Sequence, residues 1–176
     1  MRQTTQTDQT DFGVRRGDNI AARNRHPAPE RPAQRELVVL TAHSLPQAVI
    51  DRGDRYQAEF EACAAKVQTG LGREVVLAYQ SQGEGGGAWL GPTLLQTMQK
   101  ARRDGYERVV VSPIGFLSEH IETLYDLDVE ARAHAEALDL TLVRVPTVGE
   151  HPALITAMAD TAKAAMAGAE PAPRQI

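Results

Sequence analysis

From Glu36 onward the sequence alternates between two hydrophobic periods, and this alternation constrains the fold more than any other feature. Short apolar runs at Leu37–Leu40, Glu74–Tyr79, Arg108–Ser112 and Thr141–Val145 are typical of strands buried on both faces. Apolar residues at helical spacing separate these runs. Four strand–helix units in succession predict an α/β domain, in which a four-stranded parallel sheet is flanked by helices as in Rossmann-like domains.

Helix boundaries are indicated by local signals. Helical periodicity covers about 53–71, with Tyr56, Phe60, Cys63, Ala64 and Val67 on one face. A glycine-rich loop follows the second strand, and Pro92 then suits the first turn of a helix that Gly105 would stop. Ser118 is the predicted N-cap of a third helix that runs to Leu138, and a fourth helix is predicted over 151–167.

The composition changes sharply near residue 36. Residues 1–35 contain seven arginines and four acidic residues, are rich in Gln, Thr and Pro, and have few large apolar side chains. Such a segment cannot bury enough surface to offset its chain entropy, so we expect it to be disordered. The sequence therefore predicts a disordered leader at 1–35, an α/β domain at 36–168 and a frayed tail at 169–176.

Charge and cysteine content exclude several classes of function. After residue 35 the chain has 12 basic and 19 acidic residues, which argues against nucleic acid as a partner. A single cysteine, Cys63, excludes an intrachain disulfide and a cysteine-built zinc or iron–sulfur site. No apolar run approaches the roughly 20 residues of a transmembrane helix, and the N-terminus lacks the apolar core of a secretory signal. We therefore expect a cytoplasmic protein.

Ligands of open parallel sheets bind beyond the carboxyl ends of the strands, and three informative segments lie there. His43 follows the first strand; it is either a structural hydrogen-bonding residue or a metal ligand and base that works near neutral pH. The loop after the second strand lacks the lysine of a P-loop, so nucleotide binding is rejected. Trp89 in that loop is either an anchor or an apolar wall for a flat ligand. The segment after the third strand, 113–122, leads into the third helix.

Three carboxylates stand four residues apart in the third predicted helix, at Glu122, Asp126 and Glu130. Steps of four residues keep side chains near one helix face, so the row spans about 12 Å along the axis. The spacing suits a pathway for a divalent cation, with His120 in the first turn. It equally suits a solvated acidic face, and both interpretations stay open from the residues alone.

Five short motifs, in order, resemble those of the ferrochelatase family. They are Ala-His-Ser-Leu-Pro at 42–46, Gly-Asp-Arg-Tyr at 53–56, Ala-Tyr-Gln-Ser at 78–81, Trp-Leu-Gly-Pro at 89–92, and the run from Pro113 to Asp126. The resemblance extends from about Leu37 to Ala165 and is greatest to the bacterial enzymes, including those that act on coproporphyrin. It implies a lyase that inserts Fe(II) into protoporphyrin IX or coproporphyrin III in heme biosynthesis.

The resemblance also implies roles for individual residues. His43 and Glu122 would be the catalytic pair on either side of the metal position of the macrocycle. The implied metal ligands are His43, Glu122, Asp126 and Glu130, and the implied substrate-binding residues are Trp89, His120 and Tyr125. Asp126 and Glu130 would line a second divalent-cation site or an entry route. No cofactor is expected beyond the Fe(II) substrate, and no iron–sulfur cluster.

The sequence departs from the family pattern in length. Family members are usually about twice as long, with two α/β domains that clamp the porphyrin, and the resemblance here is to the second domain. A homodimer or a separate N-terminal domain would supply the second wall. The alternatives are a small homodimeric tetrapyrrole chelatase, a truncated product, and a non-catalytic metal- or heme-binding module. Glu119 also replaces the aspartate usual in the family before His120.

Overall fold

The computed structural model describes residues 35–83 and 86–168. The predicted disordered leader, apart from Arg35, and the predicted frayed tail lie outside the described residues. Arg35 itself packs against the domain, with its guanidinium carbon 4.3 Å from the centroid of the Tyr106 ring. The Arg35 carbonyl also accepts a 3.0 Å hydrogen bond from the amide of Glu107. Arg35 thus contacts the sheet domain.

Four parallel strands form one sheet, as the hydrophobic periods predict. The strands are β1 (Glu36–His43), β2 (Val76–Gln80), β3 (Arg108–Ser112) and β4 (Thr141–Arg144), in the order β2-β1-β3-β4. Strand β1 is central and fully buried at Val39 and Leu40, whose side chains point to opposite faces of the sheet. This burial on both faces explains the continuous apolar runs in the sequence.

The helices are α1 (Gln47–Asp51), α2 (Tyr56–Leu71), α3 (Leu94–Arg103), α4 (Ile121–Tyr125), α5 (Ala131–Ala137) and α6 (Pro152–Met166). A π-helical turn, Asp126–Glu130, joins α4 to α5 without a break. One apolar cluster packs α3, the π-helical turn and α5 against one face of the sheet. A second cluster packs α2 against the other face. None of the described helices is long and apolar enough to cross a membrane.

Several predicted boundaries need correction. The first predicted helix, about 53–71, corresponds to α2, whereas the short helix α1 lies before the predicted range. Cys63 on α2 is exposed, although Phe60 and Ala64 on the same helix are buried. Helix α3 begins after Thr93, because the Thr93 hydroxyl accepts from the amide of Gln96 while the Gln96 side chain accepts from the amide of Thr93. Pro92 therefore lies before the helix instead of in its first turn.

The third predicted helix begins at Ile121, three residues after the predicted N-cap Ser118. The cap is His120, whose amide donates to the hydroxyl of Thr123 over 3.1 Å. That hydroxyl donates back to the His120 carbonyl over 2.9 Å. Because Thr123 is fully buried, these two hydrogen bonds fix His120 as the cap, and the helix begins at the next residue, Ile121.

Candidate active site

The loop after β3 lies directly against the end of β1. The amide of Gly115 donates to the carbonyl of Thr41 over 3.0 Å. A β-carbon at position 115 would lie 2.5 Å from Ala42 Cβ and 2.7 Å from Ala42 Cα, distances that real side chains do not adopt. Glycine is therefore required for this close approach, which carries the chain across the sheet edge towards α4.

His43, the last residue of β1, and Glu122, in the first turn of α4, meet at this edge. Nε2 of His43 lies 3.1 Å from Oε1 of Glu122. The side chains are 34% and 42% exposed, so the pair faces solvent at the carboxyl ends of the strands. The structure thus brings together the two residues predicted to form the catalytic pair, while their roles stay predictions.

The hydrogen bonds of His43 define where a proton can move. Nδ1 lies 2.5 Å from the carbonyl oxygen of Ser44, and a carbonyl only accepts, so Nδ1 carries a proton. The contact between Nε2 and Glu122 then requires one further proton, held either by the imidazole or by the carboxyl. Ser44 is itself fixed, since its hydroxyl donates to the Leu90 carbonyl over 2.9 Å and its amide donates to the Gln80 carbonyl over 2.7 Å. The pair can therefore exchange a proton with a ligand at Nε2 while the ring keeps its orientation.

An aromatic ring lies beside the pair. Phe116 is buried, and its ring centroid lies 6.5 Å from that of His43 and 5.3 Å from that of His120. On α4, Ile121, Leu124 and Tyr125 are exposed, with Ile121 at 80%. An apolar surface therefore adjoins Glu122, and it includes the predicted substrate residue Tyr125.

Trp89, the predicted apolar wall, is partly buried in the loop after β2. It forms an antiparallel bridge with Pro46, three residues after His43, and the amide of Leu90 donates to the Leu45 carbonyl over 2.9 Å. A β-carbon at Gly83 would lie 3.0 Å from the Trp89 ring. The structure is therefore compatible with both predictions for Trp89, an anchor and an apolar wall: the backbone of the loop is anchored to the domain, and the indole ring is partly exposed.

The row of carboxylates continues from the pair along one helix face. The amide of Ala131 donates to the carbonyl of Asp126, five residues earlier, which defines a turn wider than an α-helical turn. Residues four apart drift by about 40° per step in an α-helix, and the wider turn reduces this drift. Asp126 and Glu130 line a cavity of about 340 Å³ that also contains His134, the next residue at the same spacing.

Sequence reasoning missed three residues of this cavity. His134 extends the four-residue series and could have been found by it. Ser81 has a left-handed backbone, with φ of 59°, and its hydroxyl donates to Asp126. Gln80 is buried, its Oε1 accepts from the Thr41 hydroxyl over 2.7 Å, and its Nε2 has no hydrogen-bond partner among the described residues. Both residues belong to the Ala-Tyr-Gln-Ser motif at 78–81, but no role was predicted for either of them.

The residues predicted to bind metal do not form one cluster. Across residues 35–83 and 86–168, no three His, Cys, Asp or Glu side chains converge on a common point where they could hold a metal ion. The carboxylates instead form successive positions, with Glu122 beside His43 and Asp126 and Glu130 in the adjoining cavity. The role of Asp126 and Glu130 in a cation route therefore stays a prediction.

Sequence reasoning also missed Arg144 at the end of β4. Its guanidinium forms two hydrogen bonds with Glu119, one of them 2.8 Å from Nη1 to Oε1. The bond from Arg144 holds the pKa of the Glu119 carboxyl below its usual value, so Glu119 stays ionised near neutral pH. The two residues are 25 positions apart in the chain, and no spacing rule links them.

Known proteins are similar to this chain in family, sequence and fold. The family model described as Ferrochelatase matches residues 17–166. A ferrochelatase of Synechocystis is 41% identical over 126 residues, which cover 69% of this chain and 32% of the relative. A coproporphyrin III ferrochelatase of Anoxybacillus flavithermus is 36% identical over 132 residues, covering 74% and 42%. The chain thus spans between about a third and two fifths of the length of these relatives.

A solved structure shares the fold. The crystal structure of a putative cobalamin (vitamin B12) biosynthesis CbiX protein from Marinobacter aquaeolei aligns with a TM-score of 0.56 and 20% identity. The alignment covers 76% of this chain and 99% of that one. At this identity the likeness establishes the architecture of the sheet and its helices.

Proposed function

The chain belongs to the ferrochelatase family, and on that premise we propose that it takes part in inserting Fe(II) into a porphyrin in heme biosynthesis. The proposed substrate is protoporphyrin IX or coproporphyrin III; one similar relative is named a coproporphyrin III ferrochelatase, and another is named a ferrochelatase without a stated porphyrin. The single observation that carries the proposal is the 3.1 Å contact between His43 Nε2 and Glu122 Oε1 at the open edge of the sheet.

The chemistry of metallation matches this pair. A porphyrin must lose two pyrrole N–H protons, and the arriving cation must lose part of its hydration shell. Because Nδ1 of His43 is committed to the Ser44 carbonyl, Nε2 is the ring atom that can take a proton from the macrocycle, after the pair has released to solvent the proton held in its contact with Glu122. The Glu122 carboxylate beside it is a suitable oxygen ligand or proton relay for the exchange of Fe(II) against those protons.

Asp126 and Glu130 supply a route for the cation in this proposal. They follow Glu122 on the same helix and line the adjoining 340 Å³ cavity, so a hydrated Fe(II), or a second divalent cation, would approach the pair from inside the domain. The hydroxyl of Ser81 bonds to Asp126 and orients that carboxylate. Carboxylates with retained water bind such cations weakly enough to release them.

The exposed side chains on α4 provide one apolar wall for a flat ring. Ligand pockets usually bury about 70–90% of the ligand surface, and one wall cannot do so. The relatives are more than twice as long as the region that matches this chain, and the rest of their sequence is an obvious source of a second wall. We therefore propose that a second α/β domain, or a second copy of this chain, closes the cleft over Ile121, Leu124 and Tyr125.

The test is anaerobic insertion of Fe(II), followed by the change in porphyrin absorbance, with each of the two proposed porphyrins. We expect His43→Ala and Glu122→Gln to lower the rate by about 10²–10⁴-fold, the range for lost proton-transfer groups. The matched control is Glu136→Gln, an exposed glutamate on α5, which should keep the wild-type rate. A chain that binds Fe(II) and porphyrin but inserts no metal, even with the N-terminal half of a relative added, would instead be a binding module.

A further inference from the structure

Arg144 connects β4 to both sides of the helix turn that carries Glu122. Its side chain is only 10% exposed and forms two hydrogen bonds with Glu119, immediately before the cap of α4. Its Nε lies 3.7 Å from Oδ1 of Asp128, in the π-helical turn. Residues 119 and 128 lie on either side of Glu122 in the chain. The guanidinium of Arg144 therefore contacts both ends of the segment that carries Glu122.

The loop after β4 reinforces this connection. The amide of Thr147 donates to Oε1 of Glu119 over 2.8 Å, so this oxygen accepts from both the side chain of Arg144 and the backbone. The amide of Gly149 donates to the carbonyl of Leu117 over 2.8 Å. The approach to α4 is therefore bound to the β4 side of the sheet at two successive points.

The other side of Glu122 has weaker support. On the β1 side, the loop before α4 is held by the hydrogen bond from the Gly115 amide to the Thr41 carbonyl. The side chain of Glu122 itself contacts His43, and both of these side chains are partly exposed. Exposed ion pairs of this kind contribute at most about 1 kcal/mol and do not fix a side chain by themselves. The position of Glu122 therefore depends on the segment 119–128 being held in place from elsewhere.

Arginine suits this task because its planar guanidinium presents several donors in a fixed geometry. A lysine at position 144 would keep the charge, but it could not form the two-point contact with Glu119 while also facing Asp128. The low exposure of the side chain reduces solvent screening of both ion pairs.

From these contacts we propose that Arg144 is a positioning residue, which holds Glu122 opposite His43 by tying the α4 cap and the π-helical turn to β4. The inference rests on the proposed function for its consequence in catalysis, although the positioning itself is a property of the fold. Among the described residues Arg144 forms hydrogen bonds or ion pairs with Glu119 and Asp128 but with neither His43 nor Glu122, so its effect would pass through Glu119 and Asp128.

The test compares the full-length chain with Arg144→Ala, Arg144→Lys and Glu119→Gln by backbone hydrogen exchange and by steady-state metal insertion. The matched control is Arg132→Ala. Arg132 is an exposed arginine on α5 whose Nη2 lies 3.9 Å from Asp128 Oδ1, and among the described residues it forms no hydrogen bond or ion pair with Glu119. Zn(II) and protoporphyrin IX serve as the probes for insertion.

We expect Arg144→Ala to speed exchange of the amides at 121–125 by at least about tenfold, while the amides of β1 and β3 keep their protection. The kcat should fall by about 10- to 100-fold, since a misplacement of about 1 Å can cost that much, and KM should change by less than about threefold. Arg144→Lys and Glu119→Gln should lie between Arg144→Ala and the wild type, and Arg132→Ala should match the wild type.

Unchanged exchange at 121–125 in Arg144→Ala would overturn the proposal, as would a raised KM with unchanged kcat. If that variant loses protection throughout the sheet, the two milder variants decide by the same criteria. A wild-type chain that inserts no metal would count against the proposed function alone, because the exchange measurements still decide whether Arg144 positions the segment.

Discussion

Replacing Gly115 with alanine should destabilise the domain and separate the catalytic pair at the same time. The added β-carbon would lie 2.5 Å from Ala42 Cβ and 2.7 Å from Ala42 Cα, roughly 0.8–1.5 Å closer than an ordinary carbon contact of about 3.5–4.0 Å. Because Ala42 is fully buried in the central strand, the loop after β3 must move instead. Overpacking of this kind costs about 1–3 kcal/mol.

Thermal unfolding measures this cost, and a matched glycine provides the control. For a chain of this size each kcal/mol corresponds to about 2–4 °C, so Gly115→Ala should lower Tm by roughly 2–12 °C. Gly70 lies inside α2 and has open space where a β-carbon would be, so Gly70→Ala should raise stability by up to about 1 kcal/mol. The same substitution is therefore expected to have opposite signs at the two positions.

The loop displacement should also appear in function. The loop leads directly into the helix that carries Glu122, so a shift of its backbone should lower the rate of metal insertion, by up to about 100-fold for 1 Å. A Gly115→Ala protein that melts within about 1 °C of the wild type, which is about half a kcal/mol or less, would refute the steric argument. Unaltered insertion in a destabilised variant would show that the loop does not position the pair.

Three further predictions concern stability and its pH dependence. Leu127→Ala should cost about 2–5 kcal/mol in urea unfolding because Leu127 is fully buried, whereas Val129→Ala, at an exposed position of the same turn, should cost far less. Burial raises the pKa of Tyr79 to about 12, so the stability that it contributes should be lost as pH rises from about 10 through 12, and ultraviolet titration against Tyr79→Phe should show this late phenolate. The hydrogen bond with Arg144 lowers the pKa of Glu119, so the stability that the ionised carboxylate contributes is present above about pH 4.3 and is lost on acidification. The difference in urea midpoint between the wild type and Glu119→Gln should therefore shrink as the pH is lowered from about 7 to about 3.

The sheet could be predicted from hydrophobic periods, but the ends of its elements could not. Strand β3 has the predicted bounds, Arg108–Ser112, whereas β1 extends three residues beyond the predicted Leu40. Thr41 and Ala42 are neither large nor strongly apolar, yet they pair with Ala78 and Tyr79 and are fully buried. Tertiary pairing, which leaves no trace in local composition, decides where this strand ends and therefore where His43 lies.

The site was predictable in part. The four-residue series of carboxylates pointed to one helix face, and a parallel series of buried residues at Thr123, Leu127, Ala131 and Ala135 has the same spacing. Residues that recur strictly every four positions on one face do not match the α-helical period of about 3.6 residues per turn. Together the two series therefore indicate a turn wider than an α-helical turn, which helical propensity alone does not reveal. The contact between Glu119 and Arg144 depends on the packing of distant elements and has no such signal.

The most direct test of the central claim is a double-mutant cycle on the rate of Fe(II) insertion by His43→Ala, Glu122→Gln and the double variant. Residues that act as one unit are strongly non-additive. We expect each single variant to lose about 10²-fold or more of the wild-type rate, and the double variant to lose little beyond the larger single loss. Losses that multiply, or single variants that insert iron at the wild-type rate, would contradict the claim that His43 and Glu122 work together on the porphyrin.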